Sequence, residues 1–124
     1  MLKCLRTAAA LACAASLGVF VAMGAAAAGE DAVANPFEGQ ADIVPEGKTL
    51  FNVNCSHCHG PNAIQGERPR DLRRLRKRYG ERMPTVFLTT AHNGRPDKGM
   101  PSWEGVIEDE TLWKIFTFLE TVQK

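Results

Sequence analysis

Cys55-Ser56-His57-Cys58-His59 puts two thiols and two imidazoles within five residues, with Gly60 directly after. Three chemistries use a Cys-x-x-Cys pair. Structural zinc takes four ligands, usually from two separated pairs. His57, His59 and His92 could make up the number, but a second knuckle is missing. A thioredoxin-like dithiol wants a strand–helix setting and no histidine next in line. Cys-x-x-Cys followed at once by His is instead the attachment signature of a c-type haem. Each thiol adds to a haem vinyl group, and the adjoining histidine is held under the iron. On this reading Cys55 and Cys58 carry the haem, and His59 is an axial ligand to its iron. His57 fills a variable position and reads as a surface histidine.

The opposite iron position calls for a second donor. Met83 and Met100 are the methionines outside the N-terminal stretch, and each precedes a proline. Met83 lies 24 residues after His59 and stands at the start of a helical pattern, where core filling suits it. Met100 lies 41 residues after His59, within "KGMPSW". Gly99 permits close backbone approach there, and Pro101 stiffens the loop carrying the sulfur. Met100 is the favoured ligand and Met83 a rival. His92 is another rival, giving bis-histidine ligation, although a polar surface role at the end of a helix is the plainer account.

The elements that must position these residues are short helices. Pro45-Glu46-Gly47-Lys48 opens the first, with proline and an acid in its first turn. Leu50, Phe51 and Val53 give it an apolar side before Cys55. Residues 61–69 read as loop. Asp71 to Tyr79 carries Leu72, Leu75 and Tyr79 at helical spacing among basic residues. Pro84 to Asn93 is a helix with proline at its start and Gly94 just past its end. Gly94 to Glu104 is a second loop. The last helix runs from about Asp109 to Val122, with Leu112, Ile115, Phe116, Leu119 and Val122 on its apolar face. No stretch alternates with period two. The fold class is all-α, four to five short helices around one haem.

Upstream, Met1 to Arg6 is a basic head, and an alanine-rich apolar stretch runs from Ala8 to Ala28. This is the layout of a cleaved secretory signal over 1–28, ending near Ala28; a membrane anchor is the competing reading. Residues 29–44 form an extended arm, and 45–124 the domain. Export implies the periplasm. Cleavage removes Cys4 and Cys13, so Cys55 and Cys58 are the only thiols left and no disulfide framework is possible. Lys3 and Arg6 leave too. Thirteen cations then face fourteen acids, a near-neutral balance with no general attraction to nucleic acid or membrane. A chain of about 96 residues has a modest core, and a bound cofactor is the natural staple.

The segments "EGKTLFNVNCSHCHG", "NGRPDKGMPSW" and "ETLWKIFTFLETV" resemble class I, monohaem cytochromes c over most of Pro45 to Lys124. The resemblance implies a helical bundle in which the first and last helices cross closely, here Gly47 and Phe51 against Ile115 and Phe118. It also implies a proline carbonyl supporting the proximal histidine, assigned to Pro69, with Leu72 on the haem wall and Trp103 in the haem's surroundings. The family's Pro-x-Leu segment is one residue longer here, as Pro69-Arg70-Asp71-Leu72. "GERPRDLRRL" and "HNGRPDKGMPSW" are similar to soluble periplasmic cytochromes that serve quinoprotein (PQQ-dependent) alcohol dehydrogenases.

Two protein ligands leave no open iron position, so the expectation is a one-electron carrier and not an enzyme. Methionine opposite histidine raises the potential. The expected donor is a PQQ-dependent alcohol dehydrogenase, and the acceptor a terminal oxidase or another cytochrome, with the carrier a monomer. The competing class is a haem enzyme subunit, for peroxide or sulfur oxidation, which would need an open or cysteine-ligated iron. A carrier for a different dehydrogenase is a further alternative. A zinc-binding interaction module makes no use of Met100. Between Arg68 and Arg82, Arg68, Arg70, Arg73, Arg74, Arg76, Lys77, Arg78 and Arg82 face only Glu67, Asp71 and Glu81. This run is either a solvated face or a patch that steers the carrier onto an acidic partner.

Overall fold

Helix α5, Asp109–Thr121, is the element everything else packs against. Leu112 and Trp113, then every residue from Ile115 to Leu119, are buried. A one-sided amphipathic helix would bury only a stripe; this one is covered on both sides in its second half. The computed structural model describes residues 33–64 and 70–124. The apolar leader, the start of the arm and Pro69 lie outside them.

The other helices are α1, Val44–Asn54; α2, a single turn at Ser56–His59; α3, Leu75–Tyr79; and α4, Met83–Asn93. Short 3-10 turns lie between them, and no strand occurs among the described residues. The all-α expectation is met.

α1 crosses one side of α5. A Cβ on Gly47 would lie 2.0 Å from the Lys114 carbonyl oxygen and 3.2 Å from Phe118 Cβ, so only glycine permits the approach. Phe51, fully buried, then meets Phe118 with ring centroids 5.5 Å apart. Burial of such a side chain stabilises by roughly 1.5–3 kcal/mol. Lys114 ties the same crossing at its edge, with Nζ 3.0 Å from both Glu46 and Glu110.

The opposite side of α5 meets α3 and α4. Trp113 and Phe116 join Leu75 and Met83 in a second buried cluster, with the Phe87 ring tilted against Phe116, centroids 5.0 Å apart. The arm closes this side. Asn35, buried, donates from Nδ2 to Thr117 Oγ1 and Glu120 Oε2, both at 3.0 Å, and Val33 N–H donates to Thr85 Oγ1. The Thr117 hydroxyl, buried in the middle of α5, accepts from Asn35 and donates to the Trp113 carbonyl at 2.9 Å.

The helix expected from Asp71 to Tyr79 is split. Leu72–Arg74 is a 3-10 turn and α3 begins only at Leu75. Asp71 is the physical reason at the start: its Oδ1 accepts the Arg73 N–H at 3.0 Å and the Arg73 Nε at 2.8 Å. Arg74, at φ −119° and ψ 15°, then breaks the helical run.

Candidate functional site

α1 ends at Cys55, whose N–H donates to the Phe51 carbonyl at 2.8 Å. The chain turns once more as α2. Cys58 N–H and His59 N–H both bond the Cys55 carbonyl, at 3.2 and 3.0 Å. Two thiols three residues apart in one helical turn share a face, and His59 follows directly. Gly60, at φ 77° and ψ 150°, stops the turn where a side chain would be strained. Asn52 and Asn62 brace it from outside. Asn52 Nδ2 donates to Asn62 Oδ1 at 2.9 Å, and Asn62 N–H returns a bond to Asn52 Oδ1 at 2.8 Å.

A cavity of about 360 Å³ opens beside this turn. Cys55, Cys58 and His59 line it from one segment, and Met100 and Trp103 from the other loop. Its walls are Leu72, Leu75, Phe87, Ile115 and Leu119. Arg70, Arg78, Arg95 and Lys98 also line it, and no carboxylate does among the described residues. His57 is exposed and contributes to the same lining, which the sequence did not indicate.

The support for His59 differs from expectation. Its Nδ1 lies 2.8 Å from the Arg70 carbonyl oxygen. The carbonyl assigned to Pro69 belongs one residue later, because Asp71 caps the next turn and leaves Arg70-Asp71-Leu72 in the three-residue spacing. A carbonyl can only accept, so Nδ1 carries the proton and Nε2 keeps its lone pair for a metal. Leu72 is on the cavity wall, as expected.

Met100 sits in a loop closed by its own backbone. Arg95 N–H donates to the Met100 carbonyl at 2.8 Å, and Met100 N–H to the Arg95 carbonyl at 3.0 Å. Gly99 takes φ +78° to make that reversal. Gly94 provides the close approach: a Cβ there would lie 2.6 Å from the Pro101 carbonyl carbon. Trp103 N–H donates to the Ala91 carbonyl at 2.9 Å, and Ser102 Oγ to the His92 carbonyl, pinning the loop to the end of α4.

Neither rival ligand lines the cavity. Met83 is 2 % exposed in the second core cluster. His92 Nε2 lies 2.7 Å from Asp109 Oδ1, bridging the end of α4 to the start of α5. No group of three or more His, Cys, Asp and Glu side chains converges among the described residues.

The donor set fits a covalently held haem. The two cysteines are free thiols beside an apolar cavity. Burial, with the Cys58 charge adding to it, pushes the Cys55 thiol up to about 11. The cationic lining suits the negatively charged propionates that a haem carries.

The family described as "Cytochrome C oxidase, cbb3-type, subunit III" matches residues 42–119. The chain belongs to the class I c-type cytochromes. It is 35 % identical over 79 residues to cytochrome c550 of Pseudomonas aeruginosa, covering 61 % of this chain and 53 % of that one. It is 32 % identical over 76 residues to quinohemoprotein alcohol dehydrogenase ADH-IIG of Pseudomonas putida, covering 61 % of this chain and 10 % of the enzyme. The chain thus spans about half of the first relative and a tenth of the second. No solved structure matches it. Membership makes covalently bound haem c, with its iron, the cofactor of this cytochrome. No helix among the described residues is long and apolar enough to cross a membrane.

Several parts of the site were not read from the sequence: the Asn52–Asn62 brace, the Arg70 carbonyl, and Arg95 and Lys98 in the cavity lining. Asn52, three residues before Cys55, and Gly60-Pro61-Asn62 after the motif were the local signals for the brace. Nothing local marked the others.

Proposed function

We propose that this cytochrome is a periplasmic one-electron carrier. Cys55 and Cys58 hold its haem, His59 and Met100 are the axial ligands, and a quinoprotein alcohol dehydrogenase is its donor. A terminal oxidase or another cytochrome is its acceptor. The observation that carries the ligand reading is that Met100 and the Cys55–His59 turn line one cavity, while Met83 and His92 are engaged elsewhere. Haem iron with histidine and methionine ligands cycles between ferric and ferrous states at a raised potential. The chain's own part is to hold both donors on backbone-fixed turns and to surround them with apolar side chains. With both donors fixed, no iron position is left for oxygen, peroxide or substrate, which favours a carrier over an enzyme.

The donor reading is supported by the likeness to a stretch of a quinohemoprotein alcohol dehydrogenase. The periplasmic reading is supported by the basic head and apolar stretch over 1–28, with cleavage near Ala28. The exported protein should be monomeric and carry one haem on a chain shortened by that segment, read by mass spectrometry. The deciding experiment pairs two measurements. The ferric holoprotein should show a low-spin spectrum with a methionine–iron charge-transfer band. In stopped flow, a purified quinoprotein alcohol dehydrogenase should then reduce it faster than unrelated dehydrogenases do. A high-spin spectrum would overturn the ligand reading, and equal rates with every dehydrogenase would overturn the donor reading.

A further inference from the structure

Gln123 sits where a helical hydrogen bond is missing. Leu72 and Arg76 are four residues apart, so a continuous helix would join the Leu72 carbonyl to the Arg76 N–H. The Gln123 amide stands between them instead. Its Nε2 donates to the Leu72 carbonyl at 2.9 Å, and its Oε1 accepts the Arg76 N–H at 3.0 Å. The second proton on Nε2 goes to the Leu119 carbonyl at 2.8 Å. Turning the amide over would set NH₂ against an N–H and oxygen against two carbonyls, so its partners fix its orientation.

The next residue extends the hold. Lys124 N–H donates to the Arg73 carbonyl at 2.9 Å, and its ammonium lies 3.8 Å from the Asp71 carboxylate. The end of α5 therefore grips the segment from Asp71 to Arg76 at both ends of a broken helical turn. The same segment begins with the Arg70 carbonyl, which takes the His59 Nδ1 proton at 2.8 Å.

We infer that Gln123 is a positioning residue for His59. This rests on the reading of His59 as an iron ligand. A side chain inserted into a helical ladder holds it open. Without the amide, the Leu72 carbonyl and the Arg76 N–H are free to pair with each other. Closing that turn draws the chain just after Arg70 toward α3 and takes its carbonyl from the imidazole. The bond to Nδ1 raises the basicity of Nε2, and a more basic ligand favours ferric iron. Gln123 thus lowers the reduction potential from outside the haem cavity, since it does not line it.

The test uses the haem-loaded protein. The potential is read by spectroelectrochemistry, and the His59 Nδ1 proton by NMR of the diamagnetic ferrous form. In Gln123→Leu the equilibrium should move toward reduction by roughly threefold to tenfold, with the Nδ1 proton exchanging at least about tenfold faster. Asn35→Ala removes a buried bond to Thr117 and a bond to Glu120 Oε2, while Glu120 Oε1 stays 3.5 Å from Arg76. It should lower thermal stability and leave potential and Nδ1 exchange unmoved. An unchanged potential in Gln123→Leu, or an equal shift in Asn35→Ala, would overturn the inference. Should Gln123→Leu not accumulate, the parent decides. Its His59 Nδ1 and Arg76 N–H protons should exchange through one opening with a common denaturant dependence; separate openings overturn it. A parent lacking a low-spin spectrum would instead overturn the ligand reading beneath it.

Discussion

Two regions line the haem cavity, and they are held in different ways. Around Met100 the bonds are short in sequence: Arg95 pairs with Met100, Ser102 reaches His92, and Trp103 reaches Ala91. Around His59 a bond of similar span rests on a much longer one. The ring is fixed by a carbonyl 11 residues on, and the segment bearing that carbonyl is fixed by Gln123, 51 residues beyond Leu72. The Met100 loop is a local device made by glycine, proline and a single backbone bridge. The His59 support is a tertiary device that exists only once α5 is docked. One can therefore be broken without the other, and by different kinds of change.

The largest effect should come from removing the sulfur. Met100→Ala should abolish the methionine–iron band. It should also shift the reduction equilibrium toward ferric on the order of a hundredfold, two steps of about 59 mV for one electron. Met83→Ala should keep the band and instead cost about 2–5 kcal/mol in chemical denaturation, as a buried Met should. Loss of the band in Met83→Ala alone would reverse the assignment.

Gly94→Ala attacks the same loop through its backbone. The new Cβ would meet Pro101 at 2.6 Å while the residue is held at φ +66°. Destabilisation should exceed about 1 kcal/mol. The methionine band should weaken, while the His59 Nδ1 proton keeps its slow exchange. Loss of both signals together would mean that the two regions are one cooperative unit.

Asp71 probes the other region through pH. The hydrogen bond from Arg73, with the Arg73 and Lys124 charges adding to it, holds the Asp71 carboxyl below the usual carboxylate range, against a smaller burial effect. A group more acidic in the folded chain stabilises it fully above the unfolded value, about pH 4. That stability is lost as pH falls through the lower folded value. The thermal midpoint of the parent should therefore drop below about pH 4, and Asp71→Asn should show a shallower drop. At neutral pH Asp71→Asn should cost about 1 kcal/mol. An identical acid limb in both proteins would remove Asp71 from the balance.

The smallest effect concerns docking. Arg73 is engaged with Asp71 at 2.8 Å and Arg76 lies 3.5 Å from Glu120, so part of the basic run serves the fold. Lys77 is exposed and Arg74 half-exposed. Lys77→Glu with Arg74→Glu should slow reduction by the donor a few-fold at low salt, with the visible spectrum unchanged, and the difference should vanish as salt rises. A salt-independent rate, equal in both proteins, would leave this face as solvated surface.

The motif at Cys55–His59, the helical class and the Met100 loop were legible because their causes are local. A thiol pair followed by histidine, a 3.6-residue apolar period and a glycine–proline turn each specify themselves within about a dozen residues. Even the crossing of Gly47 and Phe51 on Phe118 was in reach through resemblance. The carbonyl on His59 was not. Proline marks a turn in sequence, but which carbonyl faces the ring is set by where the chain leaves that turn. Asp71 moved that point to Arg70 by capping the next turn. The break between Leu72 and Leu75 was equally hidden, since "DLRRLRKRY" has an uninterrupted helical period. Propensity is worth tenths of a kcal/mol per residue, and a docked amide satisfying a carbonyl and an N–H together outweighs it. The sequence by itself marked Cys55, Cys58, His59, Leu72, Met100 and Trp103, which the fold gathers around one cavity. Only the tertiary structure, through contacts separated by fifty residues, decided how the histidine among them is held.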